Sequence, residues 1–385
     1  MPAPTLAQNA HFSVGACQRK RERYIDTARL KTTLDRWRLE RLYLDHAATT
    51  PLLPVALEAM QAGLAMWANP SSPHQQGRAA RAALEAARLR IAAALGWQGP
   101  VIFTSGASEA LALAIGQSVK PLKALSAVEH DAVLRLAEGV ERITVSAQGR
   151  VDVEAVGRKG LVAVQQVNSE TGVMQPLRRI GMAVREAGGL LLADCAQGAG
   201  KVGLPVADFV VVAAHKFGGP IGVGALLVRD WALLKPSGGQ ERGYRGGTEN
   251  LPGVLGMAAA IEAGNAWMER AARLRLLLEQ GVVDAEGEVV ADKAERIATI
   301  GSYRMPGVAS AVQLIRFDSE GIAVSAGSAC SSGSLRPSHV LKAMDMEEKA
   351  ASEVIRVSIG CETSEADIRR FLAALRTIAA SRQAA

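Results

Sequence analysis

The sequence predicts an α/β protein: a large, mostly parallel sheet, helices on both its faces, and a smaller α+β domain after it. Three observations carry this. Between residues 101 and 228 short apolar runs alternate with helical patterns, which is how parallel strands joined by crossover helices read. The runs at 190–193 and 210–212 are apolar at every position rather than at every second one, as strands covered on both faces must be. At 49% hydrophobic and 21% charged residues over a length of 385, the chain can also bury a large core.

Residues 1–41 stand apart as an N-terminal extension expected to be disordered or loosely docked, with nine Lys/Arg against four acids. A short strand is expected from Leu42 to Asp45, then a helix over 54–64, a turn-rich loop at 69–74 and a strong Ala/Arg/Leu helix over 76–95. A strand at 101–103 runs through Thr104-Ser105-Gly106-Ala107-Ser108 into a helix over 109–115. Strand, small-residue turn and helix N-terminus together make an anion site, although from these residues alone an ordinary N-cap by Ser105 or Ser108 is the stronger reading. Strands follow at 160–167, 189–194, 210–212 and 222–228, with a helix at 177–187. One long helix is expected over 253–275, then mixed short strands, the Gly/Ser/Cys-rich stretch 325–334, and an amphipathic helix to about 380 capped by Ser364 to Asp367. The large domain is placed at 53–270, the small one at 42–52 plus 271–385.

Composition excludes several functions. The formal charge is +6, but the extension holds +5 of it, which leaves a nucleic-acid surface on the body unsupported. No apolar run approaches the roughly 20 residues of a membrane span, and no secretory h-region opens the chain. Cys17, Cys195, Cys330 and Cys361 form no CxxC pair, so neither a disulfide framework nor a zinc site is expected, and a reducing, cytoplasmic compartment is.

The chemistry centres on Lys216. It sits between two apolar runs, beside His215 and ahead of Phe217-Gly218-Gly219-Pro220. Desolvation there lowers a lysine's pKa and frees the amine that attacks carbonyls; a lysine merely snorkelling out of a turn is the plainer alternative. Asp194 ends the preceding apolar run, with Gln197 three residues on. An aspartate beside a reactive lysine on neighbouring strands is what pyridoxal phosphate requires, the acid keeping the pyridine nitrogen protonated. A structural salt bridge is the other reading of that pair.

Ten stretches in order then resemble the cysteine desulfurases of the class V aminotransferase family, fold type I pyridoxal-phosphate enzymes, from about Leu42 to Leu375: YLDHAATTP (43–51), NPSSPHQQG (69–77), FTSGASEA (103–110), EHDAVL (129–134), VNSETGVMQP (167–176), ADCAQ (193–197), AAHKFGGP (213–220), ERGYRGGTEN (241–250), GIAVSAGSACSSGSLRPSHVL (321–341) and IRVSIG (355–360). The resemblance implies that the large sheet is of the seven-stranded type, that Lys216 holds the cofactor, that Asp194 pairs with its pyridine nitrogen and that Gln197 bonds its phenolic oxygen. His130 would stack on the ring and move protons. The Ala107 backbone N–H, Ser108 and His215 would bind the phosphate, with Thr248 from the partner subunit of a homodimer. Asn168 and Arg356 would clamp the carboxylate of L-cysteine, a task that suits the guanidinium fork.

Cys330 lies among Ser325, Gly327, Ser328, Ser331, Ser332 and Gly333, a composition that reads as a flexible loop rather than a packed strand. By the resemblance its thiolate would take the substrate sulfur as a persulfide, releasing L-alanine, and pass it to an acceptor protein such as an iron–sulfur scaffold, or toward tRNA thiolation or another sulfur-containing cofactor. No resident metal is expected, only a transient iron–sulfur contact through Cys330. Cys195 reads as packing. The chain departs from the family's usual pattern at Ala213, Ala112, Ile221 and Arg336, which bears on cofactor affinity and partner choice. A selenocysteine lyase or another class V enzyme, and a non-catalytic sulfur-relay paralogue, are the alternatives.

Overall fold

Beyond the short strand β1 (Leu42–Tyr43), seven strands make the central sheet: β2 (Val101–Thr104), β3 (Leu122–Ser126), β4 (Glu141–Ile143), β5 (Leu161–Gln165), β6 (Leu190–Asp194), β7 (Phe209–Ala213) and β8 (Gly224–Val228). Their order is β2-β8-β7-β6-β5-β3-β4. The pairs β3–β4, β3–β5, β5–β6 and β6–β7 are parallel, and β8 is antiparallel to both of its neighbours. So every strand but β8 points the same way, and one edge of the sheet collects their C-terminal ends. That edge is where ligands bind in open α/β sheets. The computed structural model describes residues 41–326 and 337–380. The expected extension, except its last residue, and the 327–336 stretch with Cys330 and Arg336 lie outside them.

Why the runs are apolar throughout is visible in β7. Val210 and Val212 pack into a core with Ala56, Leu84, Ile91, Val254 and Ala258. Phe209 and Val211 pack on the other face with Leu111, Ala114 and Leu125. The first core takes helices Pro54–Ala65, Gln75–Ala94 and Leu251–Glu262, and the second takes helix Ala107–Gln117. With both faces covered, no strand position is left for a polar alternation.

A second sheet is antiparallel and ordered β12-β13-β10-β9, built from β9 (Glu288–Val289), β10 (Ile300–Arg304), β12 (Ser325–Ala326) and β13 (Val354–Ser358). Between them β11 (Ile322–Ala323) offers the Ala323 carbonyl to the Leu44 N–H at 2.9 Å. The last helix is Glu365–Ala380. Its cap is reciprocal: Asp367 N–H donates to Ser364 Oγ at 3.2 Å and Ser364 N–H to Asp367 Oδ2 at 2.9 Å, the capping-box arrangement expected from the sequence. Among the described residues no helix is long and apolar enough to cross a membrane.

One expectation is corrected. The single long helix over 253–275 is two, Leu251–Glu262 and Met268–Asp284. Gly264 takes φ +77°, a left-handed turn that stops the first helix, and Asn265 Nδ2 ties the break to the Lys201 carbonyl at 3.2 Å. The apolar spacing simply ran on across the interruption.

Candidate active site

Five strands that point the same way deliver the candidate residues to one edge. Ser105 to Ser108 follow β2, His130 follows β3, Asn168 follows β5, Asp194 ends β6 with Gln197 beyond it, and Lys216 closes a 3₁₀ turn after β7. Arg356 reaches the same region from β13 of the second sheet. Residues 162 positions apart in sequence, Asp194 and Arg356, both act on the Lys216 amine electrostatically.

Lys216 Nζ donates to the Ala47 carbonyl at 2.7 Å and to the Ala48 carbonyl at 2.8 Å. Burial, with Arg356 adding to it, brings its pKa down to about 8, while Asp194 and Asp45 resist. The amine is therefore held close to its neutral, nucleophilic form by its surroundings. Asp194 is buried, and its Oδ1 accepts from the Ala196 N–H at 2.9 Å. Burial raises its pKa, opposed by that bond, by His130 and by Lys216. Gln197 spends Nε2 on the Ala47 carbonyl at 2.8 Å, and its buried Oε1 has no partner among the described residues. His215 Nδ1 lies 3.2 Å from Thr49 Oγ1, and burial plus Lys216 and Lys201 bring its pKa to about 4.

His130 caps the short helix Asp131–Leu134, its Nδ1 accepting from the Ala132 N–H at 3.1 Å. His130 is an exposed residue, yet desolvation by its surroundings lowers its pKa, with Asp194 partly offsetting this. The Asn168 amide is mostly committed to its own turn. Oδ1 accepts from the Glu170 N–H at 3.0 Å, the Thr171 N–H at 2.9 Å and Thr171 Oγ1 at 3.1 Å. One Nδ2 hydrogen goes to the Val128 carbonyl at 3.2 Å, and the amide's second hydrogen is what it has left for a ligand. Arg356 is gripped by Asp45 Oδ1 at 2.8 Å and the Ser169 carbonyl at 2.9 Å, and its buried Nε has no partner among the described residues.

The turn after β2 is capped at Gly106, with no side-chain cap, so neither Ser105 nor Ser108 serves as the N-cap. Gly106 adopts φ +147°, and a Cβ placed there would meet nothing within 4 Å. Among the described residues, open space therefore lies beside Gly106, immediately before the 11-residue helix that Ala107 and Ser108 begin. Thr248 is exposed, on the stretch whose Arg245 bonds Glu109 at 2.9 Å. Cys195 is fully buried, and burial pushes its thiol well up, as a packing role requires. Cys330 lies outside the described residues.

Some contributors were not singled out from the sequence. Asp45 and the Ala47 and Ala48 carbonyls come from the YLDHAATTP stretch, whose pattern gave a strand and a turn but no partner. Lys201 is buried with its pKa near 7, lowered by burial and then by Lys216. Glu129, one residue before His130, is fully buried, and its Oε2 has no partner among the described residues. An acid inside EHDAVL and a lysine after a Gly-Ala-Gly turn carry no signal of burial by themselves.

Pyridoxal phosphate fits this set on two counts. Gln197 Oε1, on the amide that shares the Ala47 carbonyl with Lys216, is a buried polar atom without a partner among the described residues, which native proteins rarely leave so. The open cradle at Gly106 faces a helix N-terminus suited to a phosphate.

The comparisons agree with that chemistry. The family model Aminotransferase class-V matches residues 42–371. A cysteine desulfurase of Cereibacter sphaeroides is 38% identical over 372 residues, covering 88% of this chain and 96% of that protein. One from Klebsiella pneumoniae is 36% identical over 376 residues, covering 88% and 93%. Among solved structures, a NifS-like protein from Rickettsia africae superposes with a TM-score of 0.81 at 29% identity, over 88% of this chain and 99% of that one. The chain thus belongs to the class V aminotransferase family, whose cysteine desulfurase members depend on pyridoxal phosphate.

Proposed function

We propose that the protein is a cysteine desulfurase that converts L-cysteine to L-alanine and receives the sulfur on Cys330 as a persulfide. The observation that carries this reading is the convergence of Lys216, Asp194, Gln197, His130 and Arg356 at one sheet edge. A scaffold without catalysis has no use for that set. The curated relatives reported above are cysteine desulfurases, which favours this reading over a selenocysteine lyase or a sulfur-relay paralogue.

In this reading Lys216 holds the cofactor, Asp194 meets its pyridine nitrogen, and the Gln197 amide meets its phenolic oxygen. The Ala107 N–H, Ser108 and His215 take its phosphate, joined by Thr248 of a second copy in a homodimer. When bound, the cofactor supplies an electron sink for the carbon that loses its proton. Arg356 and Asn168 fix the substrate carboxylate and so orient the α-carbon. Lys216 Nζ or the His130 imidazole takes the α-proton; with both pKa values lowered, each is a competent base near neutrality. The Cys330 thiolate bonds the substrate sulfur as the carbon–sulfur bond breaks, and the electron pair stays on what becomes alanine. The persulfide passes to an acceptor, for which an iron–sulfur scaffold protein in the cytoplasm is our choice.

The domain division at residue 270 belongs to the same proposal. Equimolar alanine and persulfide sulfur from L-cysteine test it; pyruvate, or alanine from selenocysteine alone, rejects it.

A further inference from the structure

Glu170 is a buried carboxyl that the reaction above leaves without a task. It lies in the turn at 168–172, two residues after Asn168. Its N–H donates to Asn168 Oδ1 at 3.0 Å, and its carbonyl accepts from Ser302 Oγ of β10 at 2.9 Å. The side chain does something different: Glu170 Oε2 accepts from Ser338 Oγ at 2.6 Å.

Ser338 is the N-cap of the helix His339–Ala343, its Oγ accepting from the Leu341 N–H at 3.0 Å. The next residue, His339, places Nε2 2.9 Å from the carbonyl of Glu129, immediately before His130. Val340, Leu341 and Met344 pack against Val128 and Val173. The helix is therefore seated by apolar contacts that owe nothing to Glu170. On the other side of the turn, the Ser169 carbonyl accepts from Arg356 Nη1 at 2.9 Å. One short bond thus registers the turn that touches Arg356 against a helix fixed independently. A buried acid is costly unless it is bonded, and burial pushes Glu170 up to about 7, with Ser338 and Arg356 pulling it down and Asp131 adding to the rise.

We infer that Glu170 is a positioning residue for the substrate-carboxylate site: bonded to Ser338, it holds Asn168 and the Ser169 carbonyl in the place from which Arg356 is aimed. The inference rests on the carboxylate reading of Arg356 and Asn168 given above.

The test uses the holoenzyme and three variants: Ser338→Ala, Glu170→Ala and Glu170→Gln. KM and kcat for L-cysteine are measured, together with the Kd for L-alanine from the cofactor's absorbance change. Alanine has the carboxylate but no thiol, so it reads the site without turnover. Losing a bond to a charged or buried group gives about a tenfold rise in KM and in the alanine Kd for Ser338→Ala and Glu170→Ala, with kcat little changed. Glu170→Gln, whose amide oxygen still accepts from Ser338, stays close to the parent. A lowered Tm with unchanged KM and Kd in the two alanine variants overturns the inference. So does a Glu170→Gln variant as impaired as Glu170→Ala. An Arg356→Lys variant separates the two levels. If it weakens alanine binding while the others do not, the positioning role alone fails. If it too leaves alanine binding unchanged, the carboxylate reading fails and takes the positioning role with it.

Discussion

Lys216 and Gln197 share one acceptor: the Ala47 carbonyl receives Nζ at 2.7 Å and Nε2 at 2.8 Å. A carbonyl from the turn after β1 thus sets the height of two side chains from the sheet edge. Removing the amine removes the group proposed above to hold the cofactor and leaves the turn's backbone bonds, such as Thr50 N–H to the His215 carbonyl at 2.8 Å, in place. Lys216→Ala is expected to lower turnover by on the order of 10²–10⁴-fold while circular dichroism and Tm change little. Collapse of the fold in that variant would show that the lysine is structural.

The lowered pKa of Lys216 makes a prediction for cofactor loading. The neutral amine is the reactive form, and it becomes the majority as pH rises through about 8. The rate at which apoprotein captures pyridoxal phosphate, followed by visible absorbance, should climb from pH 6.5 to 8 and level off above. A rate still climbing steeply at pH 10 would mean the amine has an ordinary lysine pKa.

Arg356 depends on Asp45 as a counter-charge at 2.8 Å, both partners being largely buried. Asp45→Asn keeps the shape and removes the charge. The expected outcome is a drop in kcat/KM for L-cysteine of about tenfold, carried by KM. An unchanged KM would show that the Ser169 carbonyl alone suffices to hold the guanidinium.

Glu170 also sets a pH dependence of stability. Its folded pKa of about 7 lies above the ordinary 4.5. A carboxyl raised in this way favours folding fully below its unfolded pKa, and that contribution is lost as pH rises from about 4.5 through about 7. The swing is on the order of 3 kcal/mol. Glu170→Gln does not titrate, so its stability relative to the parent should improve between pH 5 and pH 8 in denaturant unfolding. A constant difference across that range would place the carboxyl's pKa at an ordinary value.

Much of this was legible in the sequence, for a physical reason. Buried parallel strands must be apolar throughout, so β6 and β7 announce themselves, and a charged residue at the end of such a run, Asp194 or Lys216, stands out against it. The same logic fails where the apolar pattern does not change. Helices Leu251–Glu262 and Met268–Asp284 read as one because Gly264 alone marks the turn between them. It fails again where function comes from backbone atoms: the Ala47 and Ala48 carbonyls have no side-chain signature. Glu129, Glu170 and Lys201 were missed because burial of a charge is set by what folds over it. Asn168 was singled out by its motif, which gives no sign that its Oδ1 is spent on its own turn.

A packing contact offers a separate check on the turn beneath the lysine. A Cβ at Gly360 would come within 2.1 Å of His46 Cε1, and His46 stacks edge-on to Tyr43 at 5.0 Å. Gly360→Ala is expected to destabilise by about 1–3 kcal/mol through overpacking, and to lower cofactor affinity with it, since His46 adjoins Ala47. Stability unchanged in thermal unfolding would mean that the His46 ring moves aside freely.

The most direct measurement is alanine and persulfide formation from L-cysteine by the holoenzyme, compared with its Cys330→Ala variant under identical cofactor loading. The parent should release alanine and carry sulfane sulfur on the protein. The variant should hold the cofactor with the same absorbance and release essentially no alanine. Alanine release that survives loss of Cys330, or a parent that binds cofactor and leaves L-cysteine untouched, would contradict the assignment.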